Sequence, residues 1–466
     1  MADGEGKIGN NGKKVNLLVV TYPAQGHINP LLQFSKRLHH KGAAVTFVVT
    51  KFLFNNQPNS DHPPPFPVET ISDGHDAGGF LSAVSISDYH DRLKHDGSQT
   101  LRDLIRRKED AGRRFDAVVY DGFMPWVLDV GKEFGLRTVA YFTQSCAVNN
   151  IYYHVYRGEI KAPVVAAAEE EIRIAGMPPL TMADMPSLVQ VGNPYPGFSD
   201  LVINQFGNVE EADWLVCNSF YELEHQVLEG MENKWNMKTI GPNIPSFYTD
   251  KRIDNDRDYG FNLFKMNNEV CQKWLDARPK ASVVFVAFGS YAALTVEQME
   301  ELAWGLAQSN SFFLWVVRET EAAKIPAKFA EATADRGLLV PWCRQLDVLS
   351  HESIGCFVTH CGWNSTLEAL TIGVPMVAMP QWTDQTTNAK FVTDIWKTGV
   401  RAPLGDAGIV RRTTVADCIL RVMDDDRGTE IRKNAAKWGE LAKRAVDRDG
   451  SSDRTVDEIL AQLVSV

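Results

Sequence analysis

The chain is short of several things, and each shortage closes a class of reading. A run of about eighteen apolar residues, the least a membrane-spanning helix needs, occurs nowhere. Residues 1–14 are polar and glycine-rich, without the apolar core of a signal peptide. They are expected to be disordered, and the protein to be cytoplasmic. Cysteines number only seven, at 146, 217, 271, 343, 356, 361 and 418. The number is odd and no C-x-x-C occurs, which fits a reduced compartment. His360 and Cys361 are adjacent, but no second His/Cys pair completes a zinc pattern. Positive charge is also scarce, with 48 Lys and Arg against 59 Asp and Glu, a formal charge of −11. That balance, without a basic stripe, speaks against a nucleic-acid partner. Neither a Walker motif nor a Rossmann G-x-G-x-x-G is present, which sets aside ATP and NAD. No internal repeat is visible beyond a general β-α alternation.

What is there is globular: 44% hydrophobic and 23% charged over 466 residues. That length is too great for one ordinary core, so two large domains are expected. Segment 15–20 reads as a buried strand and 21–29 as the loop after it. Pro30 suits the first turn of a helix that Gly42 stops. A second strand at 45–50 completes a β-α-β unit and predicts a parallel sheet. Further strands are expected at 115–120, 138–142 and 215–218, then at 283–288, 312–317, 338–340, 354–358 and 374–379. Between the two groups, 246–260 is polar and charged and reads as a linker. The expected division is 1–245, a linker 246–260, a second domain 261–448 and a final helix 449–466.

The chemistry concentrates in 342–385. After the strand 354–358, a turn containing Gly362 leads to a helix with Asn364 or Ser365 as its cap and Gly373 past its end. A helix N-terminus behind a strand is a natural phosphate seat. His360 adds a donor there. Trp342 offers a flat face for a base, and Glu368 can accept two ribose hydroxyls. Asp384 and Gln385 follow the next strand with polar ends suited to sugar hydroxyls. In the first half, His27 stands just past the first strand, where open α/β sheets place ligands. Gly26 lets the backbone approach a ligand there. A histidine near neutrality can take a proton from a hydroxyl, and Asp121, at the end of a later strand, can hold its tautomer.

The stretch opens on Trp342, passes through His360-Cys361-Gly362-Trp363-Asn364-Ser365 and closes on Asp384-Gln385. Over its full length it resembles the signature box of plant family 1 UDP-sugar glycosyltransferases. Pro23-Ala24-Gln25-Gly26-His27-Ile28-Asn29-Pro30 resembles the same enzymes. The resemblance implies an α/β GT-B fold, two Rossmann-like β/α/β domains facing each other across a cleft, with the last helix crossing back onto the first. It implies His27 as catalytic base with Asp121 as partner. By the same carry-over, Trp342 stacks on uracil and the Cys343 backbone bonds its edge. Gln345 and Glu368 hold the ribose. His360, Asn364, Ser365 and Ser290 bind the pyrophosphate. Trp363, Asp384 and Gln385 take the sugar, with Thr143 reaching over from the first domain. Glutamine at the final position goes with glucose donors.

The expected function is therefore an inverting, metal-independent O-glucosyltransferase. It would use UDP-glucose and a hydroxyl of a small lipophilic plant metabolite, whether phenolic or flavonoid, steroid or terpenoid. Ser72-Asp73-Gly74 with Gly78-Gly79 resembles the subgroup acting on such acceptors. A monomer is expected. The alternatives are a sugar-nucleotide epimerase of the same architecture and a non-catalytic UDP-sugar or metabolite-binding module. Asp254-Asn255-Asp256 and Asp424-Asp425-Asp426 match a metal-binding Asp-x-Asp pattern but read as solvated faces. Trp382 and Trp396 read as packing. Phe123, Phe142, Met185, Phe198 and Phe206 fit an apolar acceptor pocket and the core equally well.

Overall fold

The computed structural model describes residues 14–57, 63–167, 170–193, 195–231, 235–261, 267–423 and 425–464. The start of the chain expected to be disordered, up to residue 13, lies outside them. So does Asp424 of the second acidic run.

The first half forms β1 (Asn16–Val20), β2 (Ala44–Thr50), β3 (Val68–Ile71), β4 (Ala117–Asp121), β5 (Arg137–Phe142), β6 (Trp214–Cys217) and β7 (Met237–Thr239). They make one seven-stranded sheet in the order β3-β2-β1-β4-β5-β6-β7. The second half forms β8 (Val283–Ala287), β9 (Phe312–Val316), β10 (Gly337–Val340), β11 (Ile354–Thr359), β12 (Met376–Ala378) and β13 (Gly399–Arg401). These make a six-stranded sheet in the order β10-β9-β8-β11-β12-β13. Every strand pair in both sheets is parallel. Both sheets are covered on their two faces, as parallel sheets must be. Along β1, Leu18 and Val20 enter one apolar cluster while Leu17 and Val19 enter another. Along β8, Val283 and Phe285 face one way and Val284 and Val286 the other. The cluster holding Leu18 and Val283 is continuous from one sheet to the other.

In each sheet the strand order reverses direction once, between β1 and β4 and between β8 and β11. Crevices at the carboxyl ends of such reversals are where α/β sheets take ligands. His27 follows β1 and Asp121 ends β4; Ser290 follows β8 and His360 follows β11.

Three details depart from the sequence reading. The first helix is Gln25–His40, so Gly26 and His27 stand in its opening turn and Pro30 lies inside it. The edge strands β3, β7 and β13 were not anticipated. Asp256 is not solvated: it is 5% exposed and pairs with Lys36 Nζ at 2.8 Å. Its neighbour Asp250 pairs with Arg37 Nη1 at 2.9 Å. Burial alone would raise the Asp250 carboxyl, but Arg37, Ser246 and Arg252 outweigh it and hold it well below the usual carboxylate range. Segment 246–258 is thus pinned to the buried basic face of the first helix.

The helix Ser451–Val464 places Val456, Ile459 and Leu463 in the cluster of Leu17, Ile28 and Val45. Among the described residues, no helix is long and apolar enough to cross a membrane.

Candidate active site

The two sheets face each other over a cleft containing a cavity of about 350 Å³. Every residue named from the sequence for catalysis or donor binding lines it except Asp121, which stands one layer behind His27.

His27 Nδ1 lies 2.7 Å from Asp121 Oδ2. Asp121 is 1% exposed, and its other oxygen accepts from the Phe123 backbone N–H at 3.0 Å. An ionised carboxylate only accepts, so Nδ1 carries the proton and Nε2 keeps its lone pair for the cleft. Thr143 Oγ1 lies 3.2 Å from the same Nδ1. The Thr143 hydroxyl therefore touches the imidazole as well as lining the cavity. The rings of Tyr22 and Phe123 flank His27 at 5.0 and 4.6 Å between centroids. The Tyr22 hydroxyl shares a hydrogen bond of 2.9 Å with His90 Nε2.

Across the cleft, the helix Trp363–Ile372 is capped by Gly362, not by Asn364 or Ser365, and stopped by Gly373 at φ +85°. Asn364 and Ser365 therefore belong to its first turn, where backbone N–H groups have no helical partner. The Trp363 backbone amide favours the ionised form of Asp384. His360 sits between Gly289 and Gly362, where an added Cβ would come within 2.8 and 2.4 Å of its Nε2. Only glycine leaves room for the ring at either place. Burial pushes the His360 imidazole down to about 4, with the Ala287 backbone opposing it, so the ring is neutral near pH 7.

Gln345 and Glu368 meet at the cavity wall. Gln345 Nε2 donates to Glu368 Oε2 at 2.8 Å and to Ser365 Oγ at 2.9 Å. Tyr259 donates its hydroxyl to Glu368 Oε1 at 2.8 Å. Burial nevertheless pushes the Glu368 carboxyl up to about 7. Trp342 and Cys343 lie beside this group, with the Trp342 carbonyl accepting from Asn267 N–H at 3.1 Å.

Asp384 caps the helix Gln385–Lys390. Its carboxylate accepts from Thr383 Oγ1 and Asn388 Nδ2, both at 2.7 Å, while burial raises its pKa. Gln385 Oε1 is taken by the N–H groups of Gln381 and Trp382, at 2.8 and 3.1 Å. What this side chain can offer a sugar is therefore its Nε2, a donor. Trp363 lines the cleft, but its indole Nε1 donates to the Asn218 carbonyl at 2.7 Å and the residue is 4% exposed. That donor is spent on a tie between the halves rather than on a sugar hydroxyl.

Trp382 is not plain packing. It lines the cavity and meets Tyr195 and Phe198 edge-on at 5.4 and 5.8 Å. Trp396 is core, 2% exposed. Of the apolar candidates, Phe123 and Phe198 line the cavity, whereas Phe142, Met185 and Phe206 are fully buried. Tyr22, Tyr259 and Asn388 were missed. The place of Tyr22 after β1 could have marked it; Tyr259 and Asn388 stand in stretches with no local signal. Among the described residues, no group of three or more His, Cys, Asp or Glu is placed to hold a metal.

Residues 261–427 match the family model described as UDP-glucoronosyl and UDP-glucosyl transferase. The chain is 46% identical to UDP-glycosyltransferase 74F2 of Arabidopsis thaliana, over 97% of this chain and 99% of that one. The chain belongs to the plant family 1 UDP-glycosyltransferases. Flavonol 7-O-beta-glucosyltransferase UGT74F1 of the same plant is 43% identical, covering 96% of this chain and 98% of the relative. The crystal structure of Os79 from O. sativa in complex with UDP superposes with a TM-score of 0.89 at 40% identity, covering 96% of this chain and 100% of the other. The fold is GT-B, and this UDP-glycosyltransferase uses a UDP-sugar donor. The epimerase and the non-catalytic module are set aside.

Proposed function

We propose that the enzyme is an inverting, metal-independent O-glucosyltransferase using UDP-glucose and a small lipophilic hydroxylated acceptor. The observation that carries this reading is the His27–Asp121 pair at 2.7 Å, facing the helix N-terminus across the cleft. The acceptor hydroxyl gives its proton to His27 Nε2, and Asp121 stabilises the imidazolium. The acceptor oxygen bonds to the anomeric carbon as the bond from that carbon to the UDP oxygen breaks on the opposite face. The charge left on the diphosphate falls to the helix N-terminus at Asn364 and Ser365, with Ser290 and His360 beside it. Trp342 and Cys343 take uracil, Gln345 and Glu368 the ribose, Asp384 and Gln385 the glucose. Phe80, Phe123, Leu188, Phe198 and Trp382 line the acceptor side, which favours a flat apolar molecule. The named activity of the flavonol-glucosylating relative supports that class. We divide the chain as 1–245 for the acceptor half, 246–260 for the connection, 261–448 for the donor half and 449–466 for the final helix.

His27→Ala is expected to lower transfer by the ~10²–10⁴-fold usual for a general base, with UDP affinity by calorimetry unchanged. Asp121→Asn should keep the fold and slow turnover, because an amide does not balance an imidazolium. The assay is run after dialysis against EDTA, with and without added magnesium. A His27→Ala rate above about a tenth of wild type, against that range, or strict metal dependence, would overturn the mechanism.

The donor is tested by competing UDP-glucose with UDP-galactose in one tube and reading the anomeric coupling of the product by NMR. Glucose should win and the product should be β-linked. Gln385→Ala should cost roughly 1–3 kcal/mol of transition-state binding, the range for a buried partner left unpaired, and weaken the preference. An α-linked product would rule out single displacement; equal use of galactose would remove Gln385 from the sugar site.

A further inference from the structure

Proline inside a helix ordinarily weakens it, and Pro30 lies inside Gln25–His40. Any other residue there would send its backbone N–H to the carbonyl four residues back, that of Gly26. Proline has no N–H to send. The Gly26 carbonyl instead accepts from Asn364 Nδ2 at 2.7 Å, across the cleft. Gly26 immediately precedes His27, and Asn364 stands in the first turn of Trp363–Ile372. A Cβ added at Gly26 would lie 3.6 Å from Asn364 Nδ2, so the Asn364 side chain already packs against the Gly26 backbone. The neighbouring Gln25 makes a second tie, from Nε2 to the Phe261 carbonyl at 3.0 Å.

We propose that Pro30 is a positioning residue for transfer. By withholding an amide hydrogen it reserves the Gly26 carbonyl for Asn364, and so fastens the turn carrying His27 to the helix N-terminus that faces it. The inference rests on reading His27 as the base and that N-terminus as the phosphate seat. The base and the leaving group act on opposite sides of one carbon, so their separation must be fixed to a fraction of an ångström. A bond between the turn of one and the turn of the other sets that separation directly. The helix gives up one internal hydrogen bond for it.

The test is Pro30→Ala, Asn364→Ala and the double variant, compared by kcat, KM for UDP-glucose and thermal midpoint. Alanine favours the helix, and its new N–H competes for Gly26. Pro30→Ala should therefore melt at or above the wild-type midpoint while kcat falls by about tenfold, within the loss that a small misplacement causes. A residue serving only the fold would move both in the same direction. In the Asn364→Ala background, Pro30→Ala should change kcat by less than about twofold, because the bond it disturbs is already gone. Full activity of Pro30→Ala, or losses that simply add in the double variant, would overturn the proposal. His27→Ala is assayed alongside. If it keeps the wild-type rate, the base reading has failed on its own account. The Pro30–Asn364 coupling is then judged on UDP affinity by calorimetry, where non-additive losses support it and additive ones sink it.

Discussion

Glu368 shows how much a single buried carboxylate can do and what it costs. It is 5% exposed, with Tyr259 and Gln345 each donating to one of its oxygens. Desolvation still outweighs those bonds and lifts its pKa from 4.5 to about 7. The folded chain therefore holds a proton there that the unfolded chain has lost. Its contribution to stability is fully present below 4.5 and is lost as pH rises through about 7. Ribose hydroxyls donate, so they prefer the ionised form. Uridine, which has no phosphate to titrate, should bind more tightly as pH rises through about 7. Glu368→Gln should flatten that dependence. Calorimetric titration of uridine between pH 5.5 and 8.5, about a unit and a half either side of that value, decides it. A wild-type affinity that does not vary with pH would remove Glu368 from the ribose site. At this same scale the sequence was informative where chemistry and position coincide, as at His27 and Asp121. It was silent where a side chain works through another. Nothing around Asn388 marks it as the donor to Asp384. Nothing in the motif shows that the Trp363 indole is spent on Asn218, or that Gln385 has already used its oxygen.

Elements were legible in proportion to their burial. Central strands such as β1, β4, β8 and β11 are apolar along their length, because helices cover both faces of a parallel sheet. The strands that escaped notice are β3, β7 and β13, with sequences Val-Glu-Thr-Ile, Met-Lys-Thr and Gly-Val-Arg. Each lies at a sheet edge, pairs on one side only, and is too short and polar for a period to register. Helix starts were misplaced for a different reason. Pro30 and Ser365 are good starting residues by local propensity, yet the helices begin at Gln25 and Trp363. In both cases the added residues bring backbone up to the cleft, where Gln25 and Asn364 make ties across it. The acidic run ending in Asp256 misled in the opposite direction. Its polarity suits a solvated linker, but Lys36 and Arg37 on the first helix bury and neutralise the segment. A partner more than two hundred positions away leaves no trace in local composition.

At the scale of the whole molecule, the chain ends where it began. The helix Ser451–Val464 is amphipathic, and its sequence alone does not say which half its apolar face covers. The structure places Val456, Ile459 and Leu463 against Leu17, Ile28 and Val45 of the first half. Polar ties hold the start of the helix: Ser452 Oγ donates to the Gly241 carbonyl at 2.5 Å and Arg252 Nη2 to Asp453 at 2.6 Å. The helix that follows the second sheet in the chain thus completes the core around the first sheet. Ile459 is 3% exposed and lies outside the cleft. Ile459→Ala should cost about 2–5 kcal/mol, the range for emptying a buried aliphatic site. That is a large part of the ~5–15 kcal/mol by which domains are ordinarily stable. Glu458→Ala, one position away on the exposed face, should stay within about 0.5 kcal/mol. Both are measured as shifts in the urea transition, with kcat/KM taken well below it. Transfer should be unchanged in both, because neither side chain reaches the cleft. A midpoint for Ile459→Ala equal to that of Glu458→Ala would mean that the helix is only laid on the first half. A loss of transfer at full stability would mean instead that the helix governs how the two halves meet.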